Sequence, residues 1–215
     1  LALLAAGVLC APLPAAALEM GRAETFRGYA PEWGYDFTKD AVVKHYAPLG
    51  VMLSNDEIFI SDGAKSDLGN LTDILGDNPI YIPDPVYPVY MDSNIMCGRH
   101  VTLMPAVIEN DFLPMPEALD CTSAVFYFCS PNNPTGAVYD RRQLQEWVDF
   151  ANRTGSLIIF DSAYEAFIKG DYPHSIFEID GARSCAIEIC SLSKTAGFTG
   201  TRCGWTIIPS ELGSG

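Results

Sequence analysis

Basic side chains are scarce. The chain carries 13 lysines and arginines against 27 aspartates and glutamates, a formal net charge of −14. A polyphosphate partner needs a basic face, so nucleic-acid binding is excluded. Paired cysteines are also missing. The seven cysteines (Cys10, Cys97, Cys121, Cys129, Cys185, Cys190, Cys203) are an odd set without a CxxC spacing, and most sit in apolar runs such as AVFYFCS and CAIEIC. That pattern predicts reduced, buried thiols in a reducing compartment and argues against both a disulfide framework and a zinc or other metal site. No stretch has the length or continuity of a membrane span. Residues 1–18 imitate a secretory leader, yet they lack a basic n-region and an initiator Met, and Pro12 and Pro14 interrupt them. They read as the cut start of a longer chain. Internal repeats and low-complexity tracts are absent.

Apolar material, by contrast, is plentiful. Of 215 residues, 48% are hydrophobic, enough for the core of one large domain. Short apolar runs at 57–61, 79–82, 100–104, 124–130, 156–161, 185–191 and 203–208 alternate with helical patterns. Several runs are near-continuous, as expected of strands covered on both faces. Between two of them, residues 140–153 place Leu144, Trp147, Val148 and Ala151 on one helix face. Strand, helix, strand in succession predicts an α/β fold with a doubly wound, mostly parallel, seven-stranded sheet. Such sheets bind ligands beyond the C-terminal ends of their strands, so the polar residues that close the runs are the candidates for chemistry.

Asp161 closes SLIIFD, with Tyr164 three residues on. An aspartate capping the next helix is an equally open reading. Asn133 lies in SPNNPTG, which also ends a strand and by itself reads as a turn. Past a further buried strand, SLSK sets Ser191, Ser193 and Lys194 together, with Arg202 eight residues beyond the lysine. Hydroxyls with a guanidinium can hold a phosphate, and a lysine among apolar neighbours can become a nucleophile. A solvated surface lysine is the plain alternative. The loop lacks the GxxxxGKS spacing of a nucleotide P-loop.

The ordered set SPNNPTG, FDSAY, SLSK and an arginine eight beyond the lysine resembles the fold-type-I pyridoxal-phosphate aminotransferases of class I/II, over residues 20–209. The resemblance implies pyridoxal 5′-phosphate as cofactor, tethered as a Schiff base by Lys194, which also moves the substrate proton. It implies Asp161 as the partner of the pyridine nitrogen. Asn133 and Tyr164 would hydrogen-bond the ring's 3′-oxygen, and Asn133–Pro134 becomes a candidate cis bond. Ser191, Ser193 and Arg202 would hold the phosphate. In SDGAKSD, the N–H groups near Ala64 and Lys65 would complete that cup at a helix N-terminus, and Tyr87 of DPVYPVY would stack on the ring. Lys65, Tyr87 and Asn133 would also face the substrate.

Within this superfamily, ETFRGYAPEWGY, IFISDGAK, SIFEI and SKTAGFTGTRCGWTIIP are most similar to the LL-diaminopimelate aminotransferases. That likeness implies exchange of an amino group between LL-diaminopimelate and 2-oxoglutarate, giving tetrahydrodipicolinate and glutamate on the route to lysine. Another class I/II aminotransferase, a carbon–sulfur lyase and a non-catalytic remnant of the fold are the alternatives. The likeness further implies a homodimer in which Tyr29 reaches the partner's cofactor phosphate, Glu32 as the holder of the substrate's distal end, and a bacterial cytoplasmic setting, with the plastid stroma as alternative. Two family pieces are not in the sequence: the GD-T-x-P-L substrate loop and the C-terminal domain with the arginine for the substrate α-carboxylate. The expected division is therefore a partial N-terminal arm over 1–40 and a cofactor-binding large domain over 41–215, with poor activity of this chain alone.

Overall fold

Apolar residues at consecutive rather than alternate positions decide the architecture. The computed structural model describes residues 18–26, 28–197, 199–200 and 202–213. In order along the chain come α1 (Asp36–Tyr46), β1 (Ile58–Ser61), α2 (Ala64–Ile74), β2 (Ile80–Asp84), α3 (Val89–Met96) and β3 (Val101–Pro105). They are followed by β4 (Val125–Cys129), α4 (Arg141–Thr154), β5 (Leu157–Asp161), β6 (Ala186–Ser191), the one-turn α5 (Leu192–Thr195) and β7 (Gly204–Ile207). All seven predicted strands are present, each starting one residue later than its apolar run suggested. They form one sheet in the order β1-β7-β6-β5-β4-β2-β3.

The pairs β2/β3, β2/β4, β4/β5 and β5/β6 are parallel, whereas β7 is antiparallel to both β1 and β6. Because β7 alone is reversed, its first residue, Gly204, lies level with the last residues of β1 and β6, Ser61 and Ser191. One edge of the sheet therefore gathers the C-terminal ends of the catalytic candidates' strands and the start of β7.

Both faces are covered. On β4 every residue is buried. Phe126 and Phe128 point into a core shared with Tyr46 of α1 and with Leu144, Trp147 and Val148 of α4, while Val125, Tyr127 and Cys129 join Leu68 of α2 and Tyr90 of α3 on the other face. This explains why the runs do not alternate. Helix α4 starts where the sequence predicts: Asp140 accepts from the Gln143 N–H (2.8 Å) and its own N–H donates to Gln143 Oε1 (2.9 Å), a capping box, and Gly155 ends the helix at φ 65°. No described helix is long and apolar enough to cross a membrane. The described cysteines are free, and Cys129, Cys185 and Cys190 are buried as expected. Cys97 departs from that expectation: it follows α3 at the surface and is exposed.

A buried carboxylate ties the layers together. Glu188 of β6 is fully buried and accepts from the hydroxyls of Tyr46 (2.6 Å), Ser162 (3.1 Å) and Ser175 (2.7 Å) and from the Ile176 N–H (2.9 Å). The SIFEI segment thus supplies two of its donors, and Ser175 also accepts from the Phe177 N–H (3.1 Å). Burial pushes Glu188 up to about 7 from 4.5, against the pull of those donors. The folded value lies above the unfolded one. Its contribution to stability is therefore fully present below about pH 4.5 and is lost as pH rises through about 7. An amide oxygen can accept from only two of the four donors. Glu188→Gln is expected to lower unfolding stability by about 2–4 kcal/mol and to remove this group's share of the decline between those pH values. Urea midpoints measured across the range for both proteins check it.

Candidate active site

The edge described above opens into a cavity of about 530 Å³, lined by Ala64, Lys65, Tyr87, Asn133, Asp161, Tyr164, Ser191, Ser193, Lys194 and Arg202 together with Ser66, Cys129, Ala163 and Thr199. The structure thus brings together ten of the twelve candidates read from the sequence. Tyr29 and Glu32 are exposed residues of the N-terminal segment and do not line it.

Asp161 is the floor. It is 4% exposed, and its two oxygens are held separately: Oδ2 accepts from the Tyr90 hydroxyl (2.7 Å) and Oδ1 from the Ala163 N–H (2.9 Å). The second bond is a local turn contact rather than the helix cap considered from the sequence. The first is long-range. Burial raises the carboxyl's pKa, with the two donors opposing, and among the described residues no cation pairs with it. Tyr90 was not among the residues singled out from the sequence. DPVYPVY offers tyrosines at 87 and 90, and only the tertiary packing buries the second while leaving the first, half-buried, at the cavity wall.

The same cavity holds a cluster of donors. Ser191 caps α5 by accepting from the Ser193 N–H (3.1 Å), and its hydroxyl donates to Ser193 Oγ (3.0 Å). Arg202 donates to Ser193 Oγ (3.0 Å) and to the Thr199 carbonyl (3.2 Å). Its guanidinium passes over Gly63, where an added Cβ would stand 2.4 Å from Arg202 Nη2 and where φ is +122°. The positive φ requires glycine there, whereas the close atom is the mobile end of a side chain. Gly63 precedes α2, so the N–H groups of Ala64 and Lys65 fall in the first turn, where a helix has no internal acceptor. Beneath this turn Asp67 accepts from Ser61 (2.7 Å) and Thr206 (2.9 Å), and Ser61 Oγ also accepts from the Gly63 N–H (3.2 Å). Hydroxyls, a guanidinium and a helix start converge as an anion-binding cup.

In the same cavity, Lys194 Nζ lies 5.8 Å from the centre of the Tyr164 ring. The lysine is exposed, so the apolar surroundings expected of it are not provided by this chain's own described residues. Tyr164 and Tyr87 are half-buried, and burial raises both phenols, with the Asp161 carboxylate adding to the effect. The Asn133–Pro134 bond is cis, as are Asp84–Pro85 and Ser130–Pro131. Asn132, also missed in the sequence, donates to the Pro85 carbonyl (3.1 Å) and to Thr135 Oγ1 (2.9 Å), tying the loop of Asn133 to the loop of Tyr87.

The family described as aminotransferase class I and II matches residues 3–215. The chain is 51% identical to the LL-diaminopimelate aminotransferase of Bacteroides fragilis, an alignment covering 96% of this chain and 55% of that protein. It is 51% identical to the one from Methanosphaera stadtmanae, covering 90% and 50%. Among solved structures, the L,L-diaminopimelate aminotransferase from Chlamydomonas reinhardtii superposes with a TM-score of 0.85 at 39% identity, covering 96% of this chain and 53% of that one. The chain spans about half the length of the curated relatives it matches.

Proposed function

The chain belongs to the aminotransferase class I and II family, and on that premise we propose that the protein carrying it is a pyridoxal 5′-phosphate-dependent transaminase acting on LL-diaminopimelate and 2-oxoglutarate, with tetrahydrodipicolinate and glutamate as products. One observation carries the reading: an amine, a buried carboxylate and an anion cup line a single cavity. Half-identity to the LL-diaminopimelate aminotransferases supports that choice of substrate.

The residues present fit the cofactor. Asp161 is a buried carboxylate at the cavity floor that, among the described residues, only Tyr90 and Ala163 satisfy, a setting that favours a cationic N–H partner. The bare Cα of Gly63 leaves the room that Arg202 occupies beside the first turn of α2, which suits a phosphate. Asp161 would hold the ring nitrogen, Asn133 and Tyr164 the ring oxygen, and Ser191, Ser193, Arg202 and the Ala64 and Lys65 N–H groups the phosphate. Tyr87 would cover the ring face. When bound, the cofactor supplies a conjugated electron sink for the charge left when the substrate's α-proton departs.

The protein's own part is positional and acid–base. Asp161 stays charged opposite a cation and keeps that charge out of water. Lys194, free to move in an open cavity, is the group that takes the α-proton and returns it one atom away. Tyr164 keeps its proton at neutral pH, because burial raises its pKa, and so acts as a donor. Glu32 would hold the distal end of the substrate and Tyr29 would reach a partner subunit's phosphate in a homodimer. Exposure of both outside the cavity is compatible with roles completed by other surfaces. The free cysteines suit a cytoplasmic setting.

The test is amino transfer. The protein carrying this chain is expected to pass an amino group from LL-diaminopimelate, and not from the meso isomer, to 2-oxoglutarate. Equal use of both isomers, or of aromatic amino acids instead, would assign the site to a different class I/II substrate.

A further inference from the structure

We propose that Tyr90 is a positioning residue for the cofactor site, setting through Asp161 how strongly the ring nitrogen is held in its protonated form. The inference rests on the cofactor reading above and goes one residue behind it.

The geometry is specific. Tyr90 is 1% exposed and leaves α3 to donate to Asp161 Oδ2 at 2.7 Å. With Oδ1 engaged by the Ala163 N–H (2.9 Å), each oxygen of Asp161 has one lone pair committed and the carboxylate plane is fixed. The tyrosine ring is itself immobilised, stacked on Tyr127 with centroids 5.4 Å apart and packed edge-on to Tyr87 at 5.8 Å. Its proton is secure, since burial and then the facing Asp161 push the phenol well above its usual pKa. A charged acceptor with a fixed donor at one oxygen is a weaker base than one without it. Around the pair the other titratable groups are Cys129 of β4, Tyr87 and Tyr127, Tyr164 after β5, and Lys194 beyond β6.

Removal of the Tyr90 hydroxyl therefore makes Asp161 hold a proton more tightly. With the cofactor bound, the proton between Asp161 and the ring nitrogen would move toward Asp161, the ring would withdraw less charge, and the Lys194 nitrogen would keep its proton to higher pH. Nothing is consumed; one proton is redistributed.

The experiment compares the protein carrying this chain with its Tyr90→Phe and Tyr127→Phe variants, each loaded with pyridoxal 5′-phosphate. Tyr127 is the control, because its ring is in the same stack and its buried hydroxyl makes no hydrogen bond to the carboxylate. In Tyr90→Phe the pH midpoint of the visible absorption band is expected to rise by about one unit, and the cofactor's Kd by about tenfold. In Tyr127→Phe both stay at the wild-type values. A Tyr90→Phe protein that titrates like wild type, or a Tyr127→Phe protein that shifts equally, overturns the inference while leaving the cofactor reading intact. A wild-type protein with no visible band overturns both. Tyr90→Met, which fills the volume without a donor, repeats the measurement if the Phe variant is recovered unfolded. If neither folds, the role of Tyr90 is structural and the inference is wrong.

Discussion

Lys194→Ala is expected to abolish covalent capture of pyridoxal 5′-phosphate. Reduction of the loaded wild-type protein with borohydride should leave the cofactor's mass on the peptide containing residue 194, and the variant should carry none. The result is not trivial, because two lysines line the same cavity. Lys65 sits in the first turn of α2, beside the anion cup, where its charge complements a phosphate. Lys194 instead lies over the Tyr164 ring, in the same cavity as the Asp161 carboxylate. By the family resemblance its amine is the one that would meet the cofactor. Lys65→Ala should accordingly bind the cofactor more weakly yet still become labelled at Lys194. Labelling at residue 65 in the Lys194→Ala variant would reverse the assignment. Transamination by Lys194→Ala is expected to fall by at least roughly 10⁴-fold, since the proton-transfer base is lost along with the tether.

How much of this was legible before the structure follows from what local pattern encodes. The strands of the doubly wound sheet could be read because burial on both faces writes itself as uninterrupted apolar runs, and Asp161 could be placed because it terminates one of them. The reversed direction of β7 could not. Nothing in CGWTII distinguishes a parallel from an antiparallel neighbour, yet that reversal is what delivers Arg202 to the edge where Ser191 ends its strand. Tyr90 escaped for a related reason: one tyrosine lies in the loop before α3 and the other in its first turn, and which of them meets Asp161 depends on a contact 71 positions away. Glu188 was hidden inside an apolar run, its polarity satisfied entirely by partners from three other segments. Glu32 and Tyr29 mark the other limit. Their expected roles came from resemblance, and this chain's own fold leaves both exposed outside the cavity.

Asp161→Asn should separate the charge of the floor from its shape. The amide is isosteric, its oxygen can still accept from the Ala163 N–H, and its NH₂ can donate to the Tyr90 oxygen, so the packing around residue 161 is preserved. What disappears is the anion. Loss of one partner from a buried ion pair costs about 3–5 kcal/mol. If that cost falls on the charge that the ring bears during proton removal, turnover should drop by roughly 10²–10⁴-fold, with borohydride capture by Lys194 retained. Stability should move the other way in the cofactor-free protein. Burial raises the pKa of Asp161, so its contribution is favourable at low pH and is lost as pH rises through the folded value. At neutral pH the Asn variant, free of a buried charge without a cation, is expected to unfold at higher urea than wild type. Addition of pyridoxal 5′-phosphate should invert that order, because only the aspartate gains a cationic partner. Denaturation curves with and without cofactor test the crossing. If the Asn variant were the less stable protein in both states, Asp161 would be a structural cap rather than a group held charged for the cofactor.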